Sequence, residues 1–83
     1  MTKPERKFRA GPVSATIWRN NGQSKDGEET TYATISIERV YKDKEGNWKN
    51  TNSFRISDLP RVDVVVRKAH EFLVLKEQEL FEE

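Results

Sequence analysis

Trp18, Tyr32, Lys49 and Arg55, with Arg19 beside Trp18, are the residues of this 83-residue sequence whose types and spacing could do chemistry. They are rings and cations, so the chemistry is recognition: rings offer platforms to flat π-systems, and cations hold phosphates. A base stacked on a ring is worth about 1–3 kcal/mol and tolerates any sequence. Short hydroxyls surround them (Ser14, Thr16, Thr34, Ser36, Thr51 and Ser53), and Glu38 brings the clear negative charge. Protein interfaces also favour Trp, Tyr and Arg, so a stacked base, a neighbouring loop, a second subunit and a different protein all remain open as the cover for these rings.

Bond-making chemistry finds little support. His70 is the only histidine and there is no cysteine, so an imidazole or thiolate metal site is not expected. No glycine-rich phosphate loop and no nucleophile elbow occurs. Asp43 and Glu45 pair as carboxylates by spacing alone, between Lys42 and Lys44. Neither an enzyme nor a cofactor is implied.

The elements that must position these residues follow from periodicity. In Val13–Arg19, the residues Val13, Ala15 and Ile17 alternate with Ser14, Thr16 and Trp18, and in Ala33–Glu38 the residues Ala33, Ile35 and Ile37 alternate with Thr34, Ser36 and Glu38. Both stretches predict strands with one buried face. Tyr32 then shares the open face with Trp18. Asn20–Thr30 has no apolar residue and reads as a long loop, the second strand starting near Thr31. Lys42–Gly46 is a charged turn with glycine where a hairpin tolerates positive φ. It leads to a third strand, where Lys49, Thr51, Ser53 and Arg55 share the open parity and Trp48, Phe54 and Ile56 the buried one.

Ser57 or Asp58 caps a helix with Pro60 in its first turn. Val62, Val65, Val66, Ala69, Phe72 and Leu73 form its buried stripe. Val64 and Leu75, eleven residues apart, share the opposite azimuth and are candidate dimer contacts. The expected fold is α+β: a curved antiparallel sheet of three to four strands followed by one C-terminal amphipathic helix packed on one face. Residues 1–9 read as a basic, partly flexible arm, either touching a nucleic-acid backbone or frayed and kept soluble by its charge, whose last part, at Phe8, packs or pairs as a short strand. Residues 10–83 form a single β-β-β-α domain with a frayed acidic end at about 77–83.

With 34% hydrophobic and 35% charged residues, the core must be thin. A thin core favours dimerisation. The net charge of +1 divides into +4 over residues 1–55 and −3 over residues 56–83, so a basic sheet half meets an acidic helical half. No apolar run approaches the ~20 residues of a membrane span and no signal-peptide core is present. The expected location is cytoplasmic, or nucleoid-associated in a prokaryote.

The stretch Ile35-Ser-Ile-Glu-Arg-Val-Tyr-Lys-Asp-Lys-Glu-Gly46, followed by Lys49, resembles a segment of the transcriptional positive-coactivator family of single-stranded-DNA-binding proteins, with their whirly-type sheet plus helix. That family has two spaced isoleucines, an aromatic, an Asp-x-x-Gly turn and then a lysine. Trp18-Arg19 is similar to its aromatic-basic pair before the first hairpin turn. The resemblance covers roughly residues 8–73; small prokaryotic proteins of the same layout are similar too. It implies a homodimer that binds unpaired DNA along projecting hairpins, with Trp18, Arg19, Tyr41 and Lys49 as the matched positions. The basic pair expected after Lys49 falls at Asn52-Ser53, which is uncharged, with Arg55 one strand step later. Tyr41 shares the parity of Ile35 and Ile37, so alternation buries it whereas the resemblance exposes it; a strong twist or a bulge near Glu38–Val40 would reconcile the two.

The expected function is sequence-tolerant binding of single-stranded DNA or RNA, DNA being favoured. Trp18, Tyr32 and Tyr41 would stack bases, while Arg19, Lys49 and Arg55 hold phosphates. The rivals are a protein-interaction module on the same open face and duplex recognition by a three-stranded sheet.

Overall fold

The computed structural model describes residues 4–23 and 25–81, with side chains through residue 75. Four strands precede one helix: β1 (Pro4–Ala10), β2 (Val13–Gln23), β3 (Glu29–Lys42) and β4 (Trp48–Thr51), then a single 3₁₀ turn (Ile56–Asp58) and α1 (Leu59–Phe81). The strands form one open antiparallel sheet in the order β1-β2-β3-β4. The fold is α+β, as expected.

Alternation decides what is buried. Val13, Ala15 and Ile17 of β2 are fully covered by Val65 and Ala69 of α1. Phe8, Ala10, Ala33, Ile37, Phe54, Val62, Phe72 and Leu73 pack around that centre. Phe8 and Phe72 meet edge to face at 6.1 Å, which ties β1 to the helix. Asp58 lies just before α1 and is buried; its Oδ2 accepts the Arg55 N–H at 2.8 Å and sits 3.3 Å from Arg39 Nε. One carboxylate thus closes the chain into the helix and fastens that corner to β3.

The helix covers β1 and β2 and barely reaches β3. Beyond the core, β2 and β3 continue as a two-stranded ribbon to the Gln23–Glu29 pair. The ribbon stretches the molecule to 50 × 27 × 17 Å with a radius of gyration of 15.9 Å, against the ~12 Å of a compact domain of this length.

Several expectations are corrected. The arm assigned to residues 1–9 is strand β1 from Pro4 onward, because Phe8 and Ala10 pair with Ala15 and Val13 and share their face; residues 1–3 lie outside the described residues. The long loop at Asn20–Thr30 shrinks to the turn after Gln23, since cross-strand pairing carries polar residues into the ribbon. β4 ends at Thr51, where the Thr51 hydroxyl accepts the Ser53 N–H at 3.1 Å. Alternation stops there, so Ile56, expected in the core, is 88% exposed. Ile35 and Val66, also expected inside, are exposed because α1 falls short of β3. The helical backbone runs on to Phe81; the rest of the acidic end, and the side chains from residue 76, lie outside the described residues.

Candidate nucleic-acid interface

Cross-strand partners in an antiparallel sheet share a face, and each strand alternates between faces. The register therefore sorts every candidate. Trp18 lies opposite Thr34, Asn20 opposite Tyr32, Thr16 opposite Ser36 and Ser14 opposite Glu38. On β1, Lys7 and Arg9 complete the rows of Thr16 and Ser14. On β4, Trp48 lies opposite Lys42 and Asn50 opposite Val40. All of these occupy the face that α1 leaves open. From Tyr32 to Lys42 this track is ten steps of β3, about 30 Å at ~3.3 Å per residue.

The six binding candidates do not share a face. Trp18 and Tyr32 stand on the open one. Arg19 opposes Ala33, and Lys49 opposes Tyr41; both pairs have the parity of Ile17, Ile35 and Ile37, on the helix side. The register runs unbroken from Gln23↔Glu29 to Val13↔Arg39 and from there into β4, so of the two devices that could turn Tyr41 outward, the bulge near Glu38–Val40 is not present. The irregularity in pairing sits instead between Pro4 and Arg6. Tyr41 keeps its alternation parity but lies past the reach of the helix, half-buried, with the Arg39 guanidinium 5.6 Å from its ring centre. Arg55 belongs to no strand; its backbone begins the helix cap.

Trp48 and Lys42 are the open-face residues that periodicity missed. Trp48 is 69% exposed, with Lys42 Nζ 5.6 Å from its ring centre. Its expected burial rested on counting back from Phe54 through a strand that actually ends at Thr51. Lys7 and Arg9, which the sequence offers as part of a basic arm, stand instead in β1, where Phe8 and Ala10 set the alternation and turn both cations to the open face.

Side chains on the open face hold one another in place. Trp18 Nε1 donates to Ser36 Oγ at 3.0 Å, which lays the indole diagonally across the strands and fixes its orientation. Asn20 Nδ2 donates to Thr34 Oγ1 at 3.0 Å and, more weakly, to Trp18 O at 3.4 Å. A ring fixed before binding has less freedom to lose when a ligand stacks on it.

Charge is distributed differently on the two faces. On the helix side, Arg19 Nη2 meets Glu5 at 2.9 Å, Arg39 meets Asp58, Lys49 Nζ meets Asp43 at 3.6 Å, and Arg6 lies 5.1 and 5.6 Å from the rings of Phe8 and Phe72. On the open face, among the described residues, Lys7, Arg9 and Lys42 have no carboxylate within ion-pair distance. Arg9 Nε donates to Gly11 O at 2.9 Å, which orients the side chain and leaves its charge uncompensated.

The β3–β4 turn is built by Asp43. Its Oδ1 accepts the N–H groups of Glu45 and Asn47 at 2.9 and 2.8 Å, and Gly46 takes φ +87°. Asp43 is therefore a structural residue here, and its pairing with Glu45 is local turn chemistry. His70 is exposed on α1, and Val64 and Leu75 are each 49% exposed. No helix among the described residues is long and apolar enough to cross a membrane. Comparison with protein-family models, with curated proteins and with solved structures finds no match to this chain.

Proposed function

We propose that the protein binds single-stranded nucleic acid, DNA in preference to RNA, with little sequence preference, along the sheet face that α1 leaves open. The observation that carries this reading is the company of charges and rings on that face. Trp18, Tyr32 and Trp48 stand exposed or half-exposed there, with Lys7, Arg9 and Lys42 uncompensated by carboxylates among the described residues. An extended strand could stack bases on the rings while its phosphates neutralise the cations, the combination sequence-tolerant single-strand binders use. Trp18 and Tyr32 remain in the proposed site; Arg19, Tyr41 and Lys49 face away and Arg55 stands apart, so Lys7, Arg9, Lys42 and Trp48 take over their roles. Glu38, beside Ser14, is the carboxylate a bound strand must pass.

The decisive experiment is a competition titration of oligo-dT against duplex of equal length, by fluorescence anisotropy at two salt concentrations. The expected result is preference for the single strand, with affinity falling on a log–log salt plot at about 0.7 per phosphate contacted, hence a slope of about −2 for three cations. No binding at low salt, or preference for duplex, ends the proposal. Salt-insensitive binding of a protein partner on this face would favour the interaction-module reading instead.

A further inference from the structure

β3 has 14 residues and β4 only four. β4 pairs with Arg39–Lys42, so among the described residues no strand borders the outer edge of β3 from Glu29 to Glu38. The backbone tells which groups that edge presents. Val40 N–H donates inward, to Pro12 O at 2.9 Å. Backbone direction alternates along a strand. The even-numbered residues of β3 therefore point toward β2, and Thr31, Ala33, Ile35 and Ile37 turn their N–H and C=O groups outward.

The two outer strands of the sheet are guarded and this edge is not. β1 carries Pro4, an irregular register and the charges of Arg6, Lys7 and Arg9. β4 is too short to template a partner. Thr30–Ile37, by contrast, has no charge, no proline and no glycine, and five of its eight residues (Thr30, Thr31, Thr34, Ile35 and Ile37) are β-branched. Proteins normally blunt such an edge, because it is a ready site for another strand. Ile35, in the middle of it, is 45% exposed on the side where α1 falls short.

We propose that this edge pairs with the same segment of a second copy of the chain, antiparallel about a two-fold axis near Thr34, joining two four-stranded sheets into one. The segment is complementary to itself. Centred on Thr34, the pairing sets Ala33 opposite Ile35 and Thr31 opposite Ile37, so outward groups meet outward groups and form about eight main-chain hydrogen bonds. Glu38 falls opposite Thr30, and no like charges face each other. An isologous contact of this kind needs nothing that the chain does not already contain. Ile35 of each copy becomes flanked by Ala33 of the other. The axis stands perpendicular to the sheet, so both open faces lie on one side of the joined sheet. The pairing does not depend on what those faces bind.

The test is light scattering across a concentration series, with amide hydrogen exchange read residue by residue. The expected result is a dimer in which exchange at Thr31, Ala33, Ile35 and Ile37 slows as concentration rises, while the even-numbered amides do not change. Ile35→Lys should weaken dimerisation at least about tenfold by placing a charge on the edge. Ala33→Pro, which removes an outward N–H and leaves the β2 ladder bonded, should do the same with an unchanged circular dichroism spectrum. Val64→Ser combined with Leu75→Ser should leave the dimer intact. The proposal is overturned by a monomer at every concentration, by a dimer whose odd-numbered β3 amides exchange freely, or by dissociation through Val64 and Leu75 in place of Ile35.

Discussion

The two faces of the sheet are made from the same strands, and they treat charge in opposite ways. On the helix side, Arg19, Arg39 and Lys49 meet Glu5, Asp58 and Asp43, and Arg6 lies against two phenyl rings. On the open side, Lys7, Arg9 and Lys42 have no carboxylate within ion-pair distance among the described residues. Arg39, the most covered of these cations, needs its partner because desolvated charge is costly, whereas Arg6 and Lys49 are exposed and simply have a ring or a carboxylate within reach. A cation in water needs no partner, and stays available to a ligand. Trp18 and Arg19, adjacent in sequence, therefore belong to different environments, and a motif read along the chain is split by the pleat.

Ile17→Ala should lower unfolding free energy by about 2–5 kcal/mol, because the fully buried side chain leaves a cavity under α1. Thr16→Ala, one residue away on the open face, should cost less than about 1 kcal/mol. Urea denaturation of both variants measures the contrast, and equal losses would mean that the open face is also a packed one. Asp58→Ala comes next, at about 2–4 kcal/mol, since it leaves Arg39 in a half-closed site without its counter-charge and the Arg55 N–H without an acceptor. A loss below about 0.5 kcal/mol, typical of exposed pairs, would show that this corner is effectively solvated.

Much of this arrangement was legible in the sequence, for a definite reason. Val13, Ala15 and Ile17 alternate cleanly, Val65 and Ala69 recur at helical spacing, and both sets meet in the core. Trp18 and Tyr32 follow from the same alternation. Legibility failed where the pattern lost its phase. Trp48-Lys49-Asn50-Thr51 contains no apolar period, so the face of each residue depends on how many residues the Asp43 turn uses and on where β4 stops. Phe54 does reach the core, but through an irregular segment, and counting back from it inverts Trp48 and Lys49. Ile35 was misplaced for a different reason: alternation says which face a side chain takes, not how far the helix extends over that face.

The remaining predictions concern binding and are smaller. Trp18→Ala and Trp48→Ala should each weaken oligo-dT binding by about 1–3 kcal/mol, roughly 5- to 150-fold. Trp48→Ala should leave stability unchanged, because its ring is mostly in solvent. The finest test changes cations face by face. Lys7→Gln with Lys42→Gln removes two open-face charges and should flatten the log–log salt slope by about 1.4, at 0.7 per phosphate contact. Arg19→Gln with Lys49→Gln removes the same formal charge from the helix side, where Glu5 and Asp43 already neutralise it. That second variant should leave the slope where it was. Because both variants lose two positive charges, an effect of overall charge would flatten the slope equally in each. Unequal slopes would locate the phosphates on one face, and a change confined to the Arg19/Lys49 variant would locate them on the side that α1 partly covers.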